Sequence, residues 1–278
     1  MMIGICGAGT MGRGIAIACL TAGHGVVMCD LSDTALTDAR TGVMDQLRKA
    51  VEKGKLSQDA FSKAEGGLTT SVALDALASC DMVIEAIAER LDLKHTLFTA
   101  LETIVGPKAI LASNTSSISI ASLARVLSDP SRFVGLHFFN PAHIMKLVEV
   151  IRGPRTSPSV VDTCVEFAKG LGKTPVVAAD APGFIVNRIA RNYYNESQRI
   201  VMEGAASISQ IDSLMKSLGF RMGPFELMDL IGVDVNLDVT KSQWAQFFNE
   251  PRFTPSLLQQ QYVDAGLHGK KSGGGFTI

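Results

Sequence analysis

Near its N-terminus the run "MIGICGAGTMGRGIAIACLTAGHGVVMCD" (Met2–Asp30) leaves a chain few choices. A short apolar run, Met2–Cys6, stops at Gly7. Further glycines follow at Gly9 and Gly12, a helical pattern takes over, and a second apolar run, Gly25–Asp30, ends on a carboxylate. Strand, glycine turn, helix and strand in this order make one βαβ unit.

Gly7, Gly9 and Gly12 have G-x-G-x-x-G spacing. The first glycine permits a tight turn, the second lets a pyrophosphate approach the backbone, and the third lets helix and strand pack closely. The N-terminal N–H groups of the helix then face the phosphates. Thr10 and Met11 belong to the same cofactor-binding turn, with Met11 read as packing beneath it. Asp30 stands 18 residues after Gly12, at the strand end. A carboxylate there accepts bonds from the adenosine ribose hydroxyls and repels a 2′-phosphate. Leu31 and Ser32 follow with no arginine, so the pattern favours NAD over NADP.

Strand-like runs recur at 81–87, 109–113 and 132–139, with helical patterns between them, as at 91–105. Residues 35–66 read as a helical excursion, with Leu36, Ala39, Val43, Leu47, Ala50 and Val51 on its apolar face. Alternating strands and helices imply an α/β fold: a Rossmann-type, doubly wound, mostly parallel sheet. "KLVEVI" and "TPVVAAD" read as two more strands, spaced too closely for a helical crossover and so expected as antiparallel edges. At "DAPGF" (180–184) the texture changes, and almost everything beyond is helical. Ser209 with Asp212 resembles a capping box, Gly219 ends that helix and Pro224 starts the next. The expected division is a Rossmann domain over 1–180 and an all-helical C-terminal domain over 181–278.

Composition narrows the function. A chain of 278 residues is long enough for two domains. Its net charge of −1 gives no basic field for nucleic acid. No apolar run approaches the ~20 residues of a membrane span, and the opening "MMIGICGAGTMG" has no basic region of the signal-peptide kind. Cys6, Cys19, Cys29, Cys80 and Cys164 form no CxxC pair and read as reduced core thiols. A cytoplasmic protein with no metal, membrane or nucleic-acid partner is expected.

The run "GLHFFNPAHIMKLVEVI" (135–151) places His137 and Glu149 inside segments that otherwise read as buried strand. If the two segments pair around Ala142–His143, residues whose numbers sum to about 286 lie opposite, and His137 and Glu149 satisfy that sum. A carboxylate on one imidazole nitrogen fixes the tautomer and leaves the other nitrogen to act as a base. Oxidation of an alcohol by NAD needs such a base, because the hydroxyl proton leaves as hydride is transferred.

"GAGTMGRGIA", "VIEAIAE", "SNTSSI", "HFFNPAHIMKLVEV", "PGFIVNR", "GPFELMDLIGVDV" and "GKKSGGGF" resemble, in order and over essentially the whole chain, the 3-hydroxyacyl-CoA dehydrogenases. The resemblance implies NAD-dependent oxidation of L-3-hydroxyacyl-CoA, such as 3-hydroxybutyryl-CoA, to 3-oxoacyl-CoA. It also implies a homodimer formed through the helical domain, with acyl-CoA held between the domains. By position it makes His137 the base, Glu149 its partner, and Ser116 and Asn187 hydrogen-bonding groups at the reacting oxygen. Asp30, Glu89, Lys94, Ser116, Asn140 and Lys271 match cofactor contacts, and Lys53 matches a lysine near the CoA end.

Three departures stand out. His143 replaces a proline usual in the family and reads as a surface substitution. The tail has Thr277 where a tyrosine is usual, which would remove an aromatic contact. Residues 188–204 look more like the 3-hydroxyadipyl-CoA dehydrogenases of aromatic catabolism, with Arg191 and Arg199 facing either a terminal carboxylate or solvent. Two rivals remain: the 3-hydroxyisobutyrate and 6-phosphogluconate dehydrogenases, which use a lysine instead of a His–Glu pair, and a non-catalytic NAD-binding protein.

Overall fold

The computed structural model describes residues 1–278, which divide into two compact units, Met1–Ala181 and Pro182–Ile278. Eight strands of the first unit form one sheet: β1 (Met2–Cys6), β2 (Gly25–Cys29), β3 (Leu68–Ser71), β4 (Met82–Glu85), β5 (Ile110–Ser113), β6 (Phe133–Phe138), β7 (Leu147–Arg152) and β8 (Thr174–Ala179). Their order is β3-β2-β1-β4-β5-β6-β7-β8, and β1 to β6 are all parallel. Every residue of β4, β5 and β6 is buried, which is why each reads as a continuous apolar run and not as an alternation. The winding reverses between β1 and β4. Doubly wound sheets bind ligands beyond the carboxyl ends of the strands at such a point.

Helix α1 (Thr10–Thr21) follows β1. The excursion after β2 is two helices, α2 (Asp33–Glu52) and α3 (Gln58–Gly66). Ser32 Oγ accepts from Ala35 N at 3.2 Å and Ser57 Oγ from Ala60 N at 3.2 Å, so each helix has its own serine N-cap. α4 (Leu91–Ile104) and the short α5 (Ile120–Ala124) link β4, β5 and β6. Ile3, Ile5, Ile15, Met28, Ile84 and Val134 belong to one continuous core between sheet and helices.

The expected pair of antiparallel edges is half right. β7 runs antiparallel to β6, but β8 pairs parallel with β7. The crossover that seemed too short contains α6 (Pro158–Gly170), started by Ser157 as N-cap and a proline at the first helical position. In β3 the sequence "LTTS" carries one buried apolar residue, so a polar strand at the sheet edge gave no periodic signal.

The second unit is helical: α7 (Val186–Met202), α8 (Ile208–Ser217), α9 (Pro224–Ile231), α10 (Val233–Gln246) and α11 (Leu257–Asp264). Tyr194, Ile211, Phe225, Met228, Val233 and Phe276 form its core. The capping box of α8 is Ser207 with Gln210, two residues earlier than Ser209 with Asp212. Asp212 is buried and caps the next helix instead, accepting from Phe225 N and Glu226 N at 3.0 Å each. All five cysteines are free and buried, and no helix is long and apolar enough to cross a membrane.

Candidate active site

The three glycines are required for three different reasons. Gly7 has φ +112, and a Cβ there would lie 2.5 Å from the carbonyl oxygen of Ala86. At Gly12 a Cβ would lie 1.9 Å from the carbonyl oxygen of Gly7, so the helix could not pack against the turn. At Gly9 nothing lies within 4 Å, which leaves its face open for a group to approach the backbone. Gly9 is the N-cap of α1 and no side chain caps that end, which leaves the first N–H groups of the helix for an anion. Thr10 is exposed on the first turn, and half-buried Met11 packs against the core.

Asp30 follows β2 directly. Its Oδ2 accepts from Ala8 N at 2.8 Å and its Oδ1 from Ser32 N at 3.1 Å. Each carboxylate oxygen has a second lone pair for a ribose hydroxyl. A cavity of about 550 Å³ runs from Gly7, Gly9 and Asp30 to an apolar wall that includes Ile87, Leu93 and Leu97. An open glycine, an uncapped helix end, a carboxylate and an apolar wall fit a dinucleotide. Asp30→Ala should therefore weaken NADH binding and bring NADPH affinity closer to that of NADH. Fluorescence titration of both nucleotides checks this, and an unaltered preference would remove Asp30 from the site.

His137 and Glu149 are register partners across β6 and β7. Their side chains meet on one face, with His137 Nδ1 2.8 Å from Glu149 Oε2, and both are buried. The Phe139 ring lies 4.4 Å from the imidazole, centroid to centroid. Asn114 Oδ1 accepts from Phe138 N at 2.8 Å and so ties the end of β6 to the loop after β5. Asn140 is exposed on the following turn.

Glu89 joins Lys94 and Ser116 directly, and Lys94 has a second partner, Glu85, that the sequence did not single out. Lys94 is buried, with Nζ 2.7 and 2.8 Å from the two carboxylate oxygens of Glu85 and 2.8 Å from Glu89 Oε2. Glu89 Oε1 accepts from Thr115 Oγ1 at 2.6 Å and from Ser116 N at 3.0 Å. Burial pushes the Glu85 carboxyl up, against Lys94. For Glu89 burial also acts upward, but Lys94 and the bonds from Thr115 and Ser116 outweigh it and hold the group below its usual range. The signal available in sequence was the one used for His137: an acid inside an apolar run, here "MVIEAI".

A second cavity, about 630 Å³, is lined by Lys49, Lys53, Lys55, Lys146, Lys173 and His143, and its walls carry no aspartate or glutamate. Lys173 is buried, and its ammonium is bonded to the carbonyl oxygens of Ala142 at 2.7 Å and Met145 at 2.9 Å. Burial, and then Lys146, push its pKa down. His143 is not the surface residue that was expected. It is half-buried in the cavity wall, Nδ1 is buried without a hydrogen-bond partner, and burial together with Lys173 pushes its pKa down.

In the second unit Asn187 is half-buried on the first turn of α7. Lys271 pairs with Asp234 at 2.6 Å. Arg191 does not face solvent. It is buried, with Nη1 2.8 Å from the Asn236 carbonyl oxygen and 2.8 Å from Thr240 Oγ1. Arg199 pairs with Glu196 at the surface. Thr277 bonds Asp229 through Oγ1 at 2.7 Å, and the preceding Phe276 stacks on Tyr262 at 4.2 Å, so the tail is anchored without a tyrosine.

Known proteins resemble this chain over nearly its whole length. Residues 2–181 match the family model described as 3-hydroxyacyl-CoA dehydrogenase, NAD binding domain, and residues 183–278 match 3-hydroxyacyl-CoA dehydrogenase, C-terminal domain. A 3-hydroxyadipyl-CoA dehydrogenase of Escherichia coli is 46% identical over 98% of this chain, which spans only 57% of that protein's length. A probable 3-hydroxybutyryl-CoA dehydrogenase of Deinococcus radiodurans is 43% identical, with 99% of both chains covered. The crystal structure of (S)-3-hydroxybutyryl-CoA dehydrogenase from Ralstonia eutropha superposes with a TM-score of 0.95 at 42% identity, covering 99% of this chain and 97% of that one.

Proposed function

The chain belongs to the 3-hydroxyacyl-CoA dehydrogenase family, and from that premise we propose that it oxidises L-3-hydroxyacyl-CoA with NAD to 3-oxoacyl-CoA and catalyses the reverse reduction. The observation that carries this reading is the buried His137–Glu149 pair at 2.8 Å. Glu149 Oε2 accepts a hydrogen bond from Nδ1–H, which fixes the tautomer and orients the ring. Nε2 of His137 then removes the hydroxyl proton during oxidation and returns it during reduction. NAD, when bound, supplies the hydride acceptor. The glycine turn and the N-terminus of α1 hold its phosphates, and Asp30 its adenosine ribose. Glu89, Lys94, Asn140 and Lys271 keep the cofactor role that the sequence motifs give them. The Ser116 hydroxyl donates to the C3 oxygen and stabilises the charge that develops on it; Asn187 carries the same proposal on its motif alone.

The lysine-lined cavity supports a thioester of CoA over a free hydroxy acid. Five ammonium groups and no carboxylate suit the several phosphate charges of a CoA nucleotide, with Lys53 among the contacts. Charge reversal at Lys53 and Lys146 together should raise KM for acetoacetyl-CoA about tenfold or more, with a smaller effect at high salt. The direct test of the reading is NADH oxidation on mixing with acetoacetyl-CoA. NADH binding without turnover would leave a non-catalytic binding protein.

For acyl-chain preference the name of the E. coli relative and residues 188–204 point to an ω-carboxylated chain. The burial of Arg191 points the other way, because its guanidinium is engaged by α10. A kcat/KM series from four carbons upward, including an ω-carboxylate, decides between them. The second unit exposes Leu214, Leu218, Phe220 and Phe248, which supports the homodimer; analytical ultracentrifugation tests it. Five reduced, buried cysteines support the cytoplasm as its location.

A further inference from the structure

Lys94 is 1% exposed and Glu85 is fully buried, yet the ammonium has two carboxylates around it. Both carboxylate oxygens of Glu85 accept hydrogen bonds. Lys94 Nζ reaches both oxygens, Ile87 N donates to Oε1 at 2.8 Å, and Ser113 Oγ donates to Oε2 at 2.6 Å. Glu89 likewise accepts from Lys94, Thr115, Ser116 and, at 3.2 Å, Ser117 Oγ. A protonated acid needs an acceptor for its own hydrogen, whereas oxygens ringed by donors hold the anion. Two anions around one cation leave one net negative charge, shared between a fully buried Glu85 and a Glu89 side chain that is 38% exposed, so solvent screens it only in part.

Its position is specific. Glu85 ends β4 and is the register partner of Cys6 on β1 and Ser113 on β5, where the winding of the sheet reverses. The next three residues, Ala86, Ile87 and Ala88, line the cavity that Gly7, Gly9 and Asp30 open into. Glu89 in turn holds the backbone N–H of Ser116. The surplus charge therefore stands behind the cavity wall and under the loop assigned to the reacting oxygen.

Oxidised nicotinamide carries a positive charge on its ring and the reduced ring does not. A fixed anion discriminates between them; a clamp that merely shapes the site binds both alike. Resting on the NAD reading above, we infer that the Glu85–Lys94–Glu89 cluster sets the redox-state preference of the cofactor site and favours the oxidised form. Glu85 touches no cofactor in this arrangement. It is a positioning residue that holds Lys94 and contributes the second carboxylate.

The test is the pair of dissociation constants for NAD and NADH, measured by calorimetry on the whole chain. Glu85→Gln keeps the shape and removes one charge, so Kd(NAD)/Kd(NADH) should rise on the order of tenfold, the size expected for one charge acting through a partly shielded site. Glu89→Gln makes the same charge change at a less buried position and should move the ratio the same way; it carries the test if Glu85→Gln does not fold. Thr115→Val removes a hydrogen bond to Glu89 but no charge, and should change both constants by a similar factor. Should both carboxylate variants leave the ratio as in the wild type, whatever happens to the individual constants, the inference is overturned. Failure of the wild-type protein to bind either nucleotide would instead overturn the NAD reading.

Discussion

Replacing His137 with alanine should lower kcat for acetoacetyl-CoA reduction by about 10²- to 10⁴-fold, the range for loss of a general acid–base group. NADH affinity should stay near the wild-type value, because the imidazole is paired with Glu149 on β6 and β7, not with the glycine turn. Glu149→Gln is the sharper companion. A carboxylate can only accept at Nδ1, but an amide can present either its oxygen or its N–H. An N–H facing Nδ1 places the ring hydrogen on Nε2, where a base cannot have it, so kcat should fall by at least about tenfold. Single-turnover NADH oxidation reads the chemical step for both variants. Wild-type turnover in the alanine variant would end the case for His137 as base and leave the pair a structural contact in the sheet.

That pair shows why part of the site could be read in the sequence. Two ionisable residues in apolar strands, an even number of residues apart around a turn, predict a face-to-face contact, and the register of β6 and β7 places them opposite. The glycine turn was legible for the same reason: its steric demands fall on residues close together in the chain. Glu85 met the criterion used for His137, but its partner Lys94 sits on a helix, where strand register says nothing. The lysine cavity is drawn from α1, α2 and the turn after it, the His143–Lys146 segment and the turn after α6, so its lysines are not gathered in one stretch of sequence. Helix α6 was lost because one spacing argument displaced two start signals, a serine cap and a proline, that stood in plain sequence. Ser209 with Asp212 resembled a cap because Asp212 does cap a helix, but α9 across the turn and not α8.

Substitution of two neighbouring glycines should have opposite signatures. Gly12→Ala places a Cβ where only 1.9 Å separates it from the carbonyl oxygen of Gly7, a backbone atom that cannot rotate away. The start of α1 must then move off the turn. The first unit should lose at least ~2 kcal/mol of stability by overpacking, and NADH binding should disappear with the turn. Gly9→Ala meets nothing within 4 Å, and its backbone, at φ −73 and ψ −169, is open to any L-residue. Restricting the unfolded chain adds a few tenths of a kcal/mol, and replacing a glycine N-cap with alanine removes about as much. The melting temperature should therefore hold, yet NADH affinity should fall at least about tenfold, because the added methyl stands where a phosphate must approach the N-terminus of α1. Thermal melts paired with NADH titrations separate the two cases. A Gly9→Ala protein that binds NADH as tightly as the wild type would mean that the phosphates do not lie over this turn, and the cavity beside Asp30 would need another occupant.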